Sequence, residues 1–380
     1  MKIVLDAIPL TELITGIQRY VRCLYTELQA LPDVSVLYFG RFGSSAEMPR
    51  EANPGTWSKR IGAIRKFPSP VIVAGRVADR FNFERRLRNL NRKSPYDVYH
   101  ETAFFPPALN GIPTVYTIYD LSLIKHRDKH PRERVWFSEI FLKRRLPRAA
   151  HIITISDFTR SEVIEDLGVP PHKVTTVHLA QGSVFHQRPQ PEIRSVLESR
   201  SLPKDYILFV GTLEPRKNLQ LLVKALPLLR TDIPLVLTGW SGWGERAWWD
   251  EIIRLGLEKR IILTGYVDEP TLACLYGGAS AFVYPSLYEG FGLPVLEAMA
   301  CGCPVICSNC ASLPEVAGDA AVQVDPHDPE GLAQSLEKIM YDSDFRNRLV
   351  AAGLQRAGLF SWKKTASETL GVFRKAREGF

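Results

Sequence analysis

Two acidic residues flank a glycine-containing turn in the stretch YEGFGLPVLEAMACGCPV. Glu289 stands directly before Gly-Phe-Gly, and Glu297 follows eight residues later in an apolar run with helical spacing. A carboxylate can accept two hydrogen bonds from neighbouring hydroxyls of a ribose or a hexose. Taken alone, the pattern also fits an acid that the helix dipole favours near a helix N-terminus.

The turn between these acids can bind an anion through its backbone. Pro294 suits the first turn of a helix, so the preceding N–H groups would lie at a helix N-terminus, where anions bind. These N–H groups belong to Gly290, Phe291, Gly292 and Leu293. Sugar hydroxyls on the acids and phosphate on the amides together imply a ligand with a sugar, a diphosphate and a nucleoside.

Two adjacent cations, Arg216 and Lys217, follow a second apolar segment at residues 206–210 and precede a helix-like segment. Arginine can hold phosphate oxygens with two parallel N–H groups, and lysine adds a compact charge. We expect the pair to neutralise a departing diphosphate. An exposed basic turn without a ligand is the alternative.

The elements that must position these residues alternate between strand-like and helical segments in both halves of the chain. Such alternation is typical of a parallel α/β fold, and it predicts two Rossmann-like domains. In the first half, the predicted strands are 2–6, 34–39, 97–100, 113–118, 151–155 and 174–179, and the predicted helices are 17–31, 80–92, 132–146 and 158–167. In the second half, the strands are 206–210, 235–238, 261–264, 281–284, 305–308 and 321–324, and the helices are 219–229, 332–340 and 344–354.

The remaining segments are predicted to be connections or termini. Residues 8–16 are predicted to be a loop and residues 41–70 a loop or mobile flap, because the latter are rich in Gly, Pro and Ser. A linker at residues 186–194 separates a first domain at 1–188 from a second at 189–361. Residues 362–380 are predicted to form a helix.

Charge is unevenly distributed along the 380 residues. Residues 1–190 contain 28 Lys and Arg against 18 Asp and Glu, whereas the remainder contains 20 against 23. A basic first half suits anionic lipid or a phosphate-bearing acceptor, and a solvated surface is the alternative. We expect no nucleic-acid partner, because aromatic residues do not interleave with the basic clusters.

Targeting and membrane signals are not recognised in the sequence. Residues 1–6 are too short an apolar run for a signal peptide, and no stretch approaches the ~20 apolar residues that cross a bilayer. We therefore expect a cytoplasmic protein, or one at the inner face of the membrane.

The spacing of the four cysteines between residues 301 and 310 suits a zinc site, but a strand-like segment between them favours small buried thiols.

These motifs resemble the GT-B glycosyltransferases of family 4, which are retaining nucleotide-sugar enzymes. The most specific parts are residues 211–218 and the Glu289–Glu297 pair, which is similar to the family's pattern of two glutamates separated by seven residues. Residues 15–19, 117–121 and 298–315 also resemble the family. Within it, the chain most resembles the bacterial mannosyltransferase-like branch that builds O-antigen and exopolysaccharide.

The resemblance covers nearly the whole chain and implies a role for each matching residue of the second domain. Glu297 would bind the ribose hydroxyls and Glu289 the hydroxyls of the donor sugar, while Arg216 and Lys217 would bind the diphosphate. The nucleobase contacts would fall to Tyr266 and Val267. The resemblance also implies that the two domains face each other across a cleft, which closes during the reaction, and that helix 362–380 packs back on the first domain.

In the first domain, the resemblance implies that Gly16 closes on the diphosphate and that Asp120 lies near the anomeric carbon. Asp120 joins Glu289, Arg216 and Lys217 as a catalytic candidate. His100 is a further candidate at a strand end, with a structural role as the alternative. Tyr119 stands where many relatives carry histidine, which would alter contacts with the donor sugar.

The implied reaction moves a hexose from a nucleotide diphosphate sugar, with a GDP-sugar favoured, to a saccharide or polyprenyl-diphosphate-linked acceptor. The family retains anomeric configuration, and the leaving phosphate can accept the acceptor's proton. No cofactor or metal is expected, and the D-x-D at residues 342–344 is predicted to be a helix boundary.

Three alternatives remain open at this point. A UDP- or ADP-glucose-dependent transferase would have the same fold and motifs. A non-catalytic scaffold is disfavoured because Glu289, Glu297 and the two cations are all present. A nucleotide-sugar epimerase would be distinguished by product analysis without acceptor.

Overall fold

In the computed structural model, the chain forms two compact units. The first comprises Met1–Leu179 with Trp362–Phe380, and the second comprises Ala180–Ser361. The structure describes all residues except 13–15, 42, 51–67, 94, 104 and 241–244. The division falls nine residues before the predicted boundary at 188, because the intervening segment packs into the second unit, where the ring of buried Phe185 lies 6.1 Å from that of Tyr276.

The first unit contains a seven-stranded sheet with strand order β3-β2-β1-β4-β5-β6-β7, in which only β3 is antiparallel to its neighbour. Its strands are β1 (Lys2–Asp6), β2 (Ser35–Phe39), β3 (Ser44–Ser45), β4 (Val98–Glu101), β5 (Thr114–Ile118), β6 (His151–Thr154) and β7 (Val174–Thr176). Its helices are α1 (Ile8–Glu12), α2 (Gly16–Gln29), α3 (Ser69–Lys93), α4 (Ser122–Lys125), α5 (Arg132–Arg145), α6 (Asp157–Leu167) and α15 (Trp362–Glu378).

The second unit contains a six-stranded parallel sheet with strand order β10-β9-β8-β11-β12-β13. Its strands are β8 (Ile207–Val210), β9 (Leu235–Thr238), β10 (Ile261–Gly265), β11 (Ala281–Tyr284), β12 (Val305–Ser308) and β13 (Val322–Val324). Its helices are α7 (Gln190–Ser199), α8 (Leu219–Ala225), α9 (Glu245–Arg254), α10 (Glu269–Gly278), α11 (Leu293–Ala300), α12 (Leu313–Ala317), α13 (Pro329–Tyr341) and α14 (Ser343–Gly358).

The strands of both units lie where apolar runs predict them. Every residue of β8, β9, β11 and β12 is buried, as expected of parallel strands that are covered on both faces. Both units are therefore Rossmann-like, as the sequence predicts. No helix among the described residues is both long and apolar enough to cross a membrane.

Several predicted loops are helical. Helix α3 begins at Ser69, eleven residues before the predicted start, because Pro70 lies in the first turn, where proline is tolerated. Residues 8–12 form helix α1, and helix α7 begins inside the predicted linker. Much of the predicted flap at 41–70, and Thr15 of the family motif, lie outside the described residues.

The C-terminal helix α15 belongs to the first unit. Thr365 Oγ1 donates a hydrogen bond of 2.7 Å to the carbonyl of His178, which follows β7. Phe373 is fully buried and packs edge-on against His100 at the end of β4. The helix therefore covers the sheet of the first unit with its apolar face.

Candidate functional site

The second sheet reverses its strand order between β8 and β11, which are hydrogen-bonded neighbours. In parallel α/β sheets, the loops at the carboxyl ends of two such strands open a crevice that binds ligands. Here the loops are residues 211–218 after β8 and 285–292 after β11. They contain both predicted cations and the first predicted acid.

An ion-pair network joins the two loops. Lys217 Nζ donates hydrogen bonds of 2.6 Å to Glu289 Oε1 and 2.6 Å to the Tyr284 hydroxyl. Arg216 Nη1 donates to the other carboxylate oxygen, Glu289 Oε2, at 3.1 Å. Each oxygen of Glu289 thus contacts a different cation, and Glu289 and Lys217 are only 7% and 8% exposed.

A second carboxylate also holds Arg216. Its Nη2 donates to Glu214 Oε1 at 2.6 Å, and its Nη1 donates to the carbonyl of Tyr288 at 2.7 Å. Two cations and two carboxylates give the cluster no net formal charge. Glu289 therefore contacts the cations directly, whereas the sequence predicts separate roles for it and for them.

Electrostatics keep Glu289 ionised. Burial alone would favour the neutral acid, but Lys217 and Arg216 outweigh it and hold the pKa of Glu289 at about 2. Burial lowers the pKa of Lys217 from its ordinary value, and Glu289 opposes that shift. The cluster is a set of largely desolvated charges that balance each other, so removing one member leaves a net charge in the cluster.

Backbone contacts fix the two loops relative to each other. Leu287 N donates to the carbonyl of Arg216 at 2.9 Å. Asn218 Nδ2 donates to the carbonyls of Pro285 at 3.1 Å and Pro326 at 2.7 Å, which ties in the loop after β13. Asn218 adopts a left-handed conformation (φ 56°), which asparagine tolerates better than most residues. The cations are therefore held on a rigid base.

The turn after Glu289 leads directly into helix α11, as predicted. The hydroxyl of Ser312 lies 2.9 Å from the carbonyls of both Glu289 and Phe291. Gly292 has φ 111°, and a Cβ there would lie 2.6 Å from Leu313 Cδ2. Only glycine fits this position. Anion binding by the amides of residues 290–293 stays a prediction.

Glu297 lies on α11 and is only 1% exposed. Its Oε2 accepts a hydrogen bond of 3.2 Å from the hydroxyl of Tyr276 on α10. Its backbone carbonyl accepts a hydrogen bond from the amide of Cys301, which follows the last residue of the helix. The carboxylate is thus held by a contact between α10 and α11, and its predicted contact with ribose stays a prediction.

Two aromatic rings lie after the neighbouring strands β9 and β10. Tyr266 is 45% exposed and stacks on Trp240, with ring centroids 5.0 Å apart and planes 24° apart. The side chain of Val267 is buried, so a nucleobase contact there falls to Tyr266 or to the backbone of Val267. A Cβ at Gly239 would lie 2.0 Å from the carbonyl oxygen of Gly211, so the backbones after β8 and β9 approach closely.

The first-unit candidates lie at strand ends or at the start of a helix. Asp120 follows β5, and its Oδ1 accepts from the amide of Ser122 at 2.8 Å and from its hydroxyl at 2.6 Å. Gly16 begins helix α2. The ring of Tyr119 packs edge-on against Tyr20, with centroids 5.5 Å apart. The roles implied for Asp120, Gly16 and Tyr119 stay predictions.

His100 has the structural role that the sequence offers as its alternative. Its side chain is fully buried, and both ring nitrogens lie 2.8 Å from hydroxyls, those of Tyr25 and Thr117. Burial lowers its pKa to about 3, so it is neutral. Both ring nitrogens are therefore engaged within the first unit, and a ligand contact through His100 stays a prediction.

Three of the clustered cysteines are buried thiols, and the D-x-D sequence at residues 342–344 lies at a helix boundary, as the sequence favours. Cys301, Cys303 and Cys307 are buried free thiols, and burial raises their pKa values. Asp342 caps helix α14, because its Oδ1 accepts from the amide of Phe345 at 2.8 Å. This confirms the predicted helix boundary.

Sequence reasoning missed four residues that complete the site. Glu214 and Tyr284 hold the cations, Tyr276 holds Glu297, and Trp240 supports Tyr266. Glu214 and Tyr284 carry a usable signal, because each stands at or just after the end of a predicted strand. Tyr276 carries none, since its contact depends on the packing of two helices.

Comparison with known proteins identifies the family. A model of glycosyl transferases group 1 matches residues 191–356, and a model of Glycosyltransferase Family 4 matches residues 14–180. The O-antigen chain mannosyltransferase B of Escherichia coli is 34% identical over 98% of this chain and all of its own length. The MMP alpha-(1->4)-mannosyltransferase of Mycolicibacterium hassiacum is 28% identical over 75% of this chain and 72% of its own.

Solved structures agree with this fold. The sucrose-phosphate synthase of Thermosynechococcus elongatus superimposes with a TM-score of 0.76 and 20% identity, covering 99% of this chain and 98% of its own. The two Rossmann-like sheets are those of the GT-B class. The chain is therefore an enzyme that belongs to the group 1 glycosyltransferases, with the family 4 domain in its N-terminal half.

Proposed function

We propose that the chain transfers mannose from GDP-mannose to a hydroxyl of a lipid-linked saccharide, in the assembly of O-antigen or a similar polysaccharide. Two relatives that are similar over most of the chain are both named mannosyltransferases, and one is named for the O-antigen chain. The proposal also includes retention of anomeric configuration and association with an anionic membrane surface.

The observation that carries the proposal is the pair of cations, Arg216 and Lys217, which follow β8 and contact Glu289 after β11. In the transfer, the bond between the sugar C1 and the β-phosphate oxygen breaks, and negative charge develops on the departing GDP. Cations that are already fixed and desolvated stabilise this charge at no cost of reorganisation. Lys217 uses two of its three N–H groups on Tyr284 and Glu289, and the third has no partner among the described residues.

Glu289 has two parts in this scheme. Its carboxylate orients both cations, and on donor binding it accepts hydrogen bonds from the sugar hydroxyls. The acceptor oxygen bonds to C1 on the face that the phosphate leaves, and a β-phosphate oxygen takes the acceptor's proton. In this scheme, the N–H groups of Arg216 and Lys217 bind the diphosphate without a metal ion, so EDTA should leave activity unchanged.

A donor screen tests the proposal. The protein is incubated with GDP-mannose, UDP-glucose, ADP-glucose and dTDP-rhamnose, with and without a saccharide acceptor, and the products are analysed by mass spectrometry and NMR. Among the four donors, we expect only GDP-mannose to be transferred to the acceptor and to be hydrolysed slowly. The product should have an axial α-linkage. Preferred turnover of UDP- or ADP-glucose would reject the mannosyl donor but keep the transferase. An isomerised sugar nucleotide would indicate an epimerase, and no turnover of any donor would indicate a scaffold.

A further inference from the structure

The guanidinium of Arg356, on helix α14, holds the end of the short helix α12. Its Nε donates a hydrogen bond of 2.9 Å to the carbonyl of Val316, and its Nη2 donates one of 2.5 Å to the carbonyl of Glu315. Carbonyls in the last turn of a helix cannot be paired within that helix, and arginine side chains can satisfy them. A Cβ at Gly318, the residue after α12, would lie 3.4 Å from Cζ of Arg356, so the guanidinium fits closely against the helix end.

The other end of α12 holds residues 289–293, which we call the donor turn. The hydroxyl of Ser312, directly before α12, lies 2.9 Å from the carbonyls of both Glu289 and Phe291. Leu313, the first residue of α12, packs against the same turn. Ser312 and Leu313 are both fully buried. The position of α12 therefore determines the position of the donor turn.

Arg356 also reaches the donor turn by a second route, through Phe360. Its Cζ lies 5.2 Å from the centre of the Phe360 ring, which is within the range of a cation–π interaction. The Phe360 ring in turn packs edge-on against that of Phe291, with centroids 6.0 Å apart and planes 79° apart. The contacts therefore form a closed ring that runs from Arg356 through α12 and the donor turn to Phe360 and back.

Helix α14, which carries Arg356, packs closely against helix α11. A Cβ at Gly353, one turn before Arg356, would lie 3.2 Å from Met299 Cγ on α11. Gly353 and Met299 are both buried, and the missing side chain lets the two helices approach closely. Helix α11 begins within the donor turn and carries Glu297. Arg356 is therefore fixed relative to the helix that the donor turn starts.

We propose that Arg356 is a positioning residue for the donor turn and acts through α12 and Phe360. Helix α12 has only five residues, too few for its internal hydrogen bonds to stabilise it alone, so its position depends on the groups that hold its ends. Arg356 holds one end, and the other end holds the turn. The inference rests on the proposed function, because it concerns the turn that would receive the donor.

Calorimetric titration of the full chain with GDP and with guanosine tests the proposal. Arg356→Met removes both carbonyl hydrogen bonds and the charge beside Phe360. It should reduce the preference for GDP over guanosine roughly 10- to 100-fold, since a displacement of about 1 Å is enough for a loss of this size. Affinity for guanosine should stay the same. Arg356→Lys keeps the charge but not the planar fork, so it should recover only part of the preference.

Two further variants test the two routes separately. Ser312→Ala releases the donor turn from α12 and should reduce the preference as Arg356→Met does. In the double variant Arg356→Met/Ser312→Ala, the loss should be smaller than the product of the two single losses, because both changes release the same turn. Phe360→Leu changes a half-buried ring and should give a smaller reduction than Arg356→Met.

Matched controls lie on the same unit. Arg348→Met removes an exposed arginine from the same helix, α14. Leu336→Ala truncates a fully buried residue of α13 and should lower the melting temperature. Both controls should keep the wild-type preference for GDP over guanosine. Thermal unfolding of each variant ensures that the titrations are made on folded protein.

The outcomes separate this inference from the proposed function. Equal affinity of the wild type for GDP and guanosine would reject the proposed donor site, and the positioning role with it. A wild-type preference that is unchanged in Arg356→Met would reject the positioning role alone, and so would an equal reduction in Leu336→Ala. If Arg356→Met does not fold, an unchanged preference in both Ser312→Ala and Phe360→Leu would reject it instead.

Discussion

Lys217 Nζ and Glu289 Oε1 lie 2.6 Å apart and join the loops after two adjacent strands, β8 and β11. Both side chains are largely buried, and Glu289 has its pKa held at about 2 by Lys217 and Arg216 against the opposing effect of burial. A buried pair of this kind contributes less to stability than its geometry suggests, but breaking it is costly. The pair lies where the strand order reverses, so residues that are costly to change for stability also lie at the proposed donor site.

Changing one member of the pair should cost both stability and activity. Lys217→Met removes a cation from the departing diphosphate and should lower kcat on the order of 100-fold or more. Glu289→Gln leaves the buried Lys217 and the partly buried Arg216 without a full counter-charge and should cost about 3–5 kcal/mol of stability. The double variant Lys217→Met/Glu289→Gln should recover part of that stability, but no activity. A double-mutant cycle from chemical denaturation and steady-state kinetics measures both effects. Additive stability losses would show that the pair is not coupled.

Glu297 is expected to recognise ribose. The carboxylate is 1% exposed and held by Tyr276, so Glu297→Gln should weaken nucleotide binding roughly tenfold to a hundredfold by removing a charged hydrogen-bond acceptor. Calorimetric titration with GDP and with its 2′,3′-dideoxy analogue separates this role from general damage. The wild type should prefer GDP, and the variant should bind the two alike. Tyr276→Phe keeps the carboxylate and should keep the preference. An undiminished preference in Glu297→Gln would exclude the ribose contact.

Gly292 should not tolerate a side chain. Its φ of 111° is unfavourable for other residues, and an added Cβ would lie 2.6 Å from Leu313 Cδ2. Gly292→Ala should therefore cost about 1–3 kcal/mol and displace the turn that begins at Glu289. Thermal unfolding and donor hydrolysis report the two consequences. Gly358→Ala is the matched control, because that position is exposed and has no atom within 4 Å of an added Cβ. Equal melting temperatures in the two variants would contradict this account of the turn.

His100 should make the first unit sensitive to acid. Burial lowers its pKa to about 3, whereas an unfolded histidine titrates near 6.5. Between these values the unfolded chain binds a proton that the folded chain does not, so stability is lost as the pH falls below about 6.5. The slope attributable to His100 is at most about 1.4 kcal/mol per pH unit. His100→Gln should lower stability at neutral pH and flatten the slope between pH 6 and 4. An unchanged slope would show that His100 does not titrate on unfolding. Mainly through burial, the pKa of His151 is lowered to about 4, so His151 also makes the folded chain less stable in acid. This effect is present in both the wild type and His100→Gln.

The sequence predicts the strands and one edge of the site well, because both follow from local patterns. Apolar runs locate β8 and β11, and the residues after each run, such as Lys217 and Glu289, must then lie at the carboxyl ends of the strands. It does not predict that Lys217 and Glu289 contact each other, since this contact depends on β8 and β11 being neighbours. Nor does it predict the first part of helix α3, because Pro70 in the first turn and Gly75 within the helix read as loop signals.

The same limit explains His100 and Tyr276. His100 at a strand end has the sequence signature of a ligand contact, and only the packing of Tyr25, Thr117 and Phe373 around it shows that it is a core residue. Tyr276 lies on a helix with no distinguishing pattern, yet it contacts Glu297 across the boundary between α10 and α11.

The most direct test of the central claim, that Arg216 and Lys217 bind the diphosphate of the donor, is a calorimetric comparison of GDP with guanosine. Wild-type protein should bind GDP at least 100-fold more tightly than guanosine, because only GDP brings phosphates to the cations. In Lys217→Met this preference should fall at least tenfold, while guanosine binding stays the same. Equal affinity for GDP and guanosine in the wild type, or a preference that survives in both Lys217→Met and Arg216→Met, would contradict the claim.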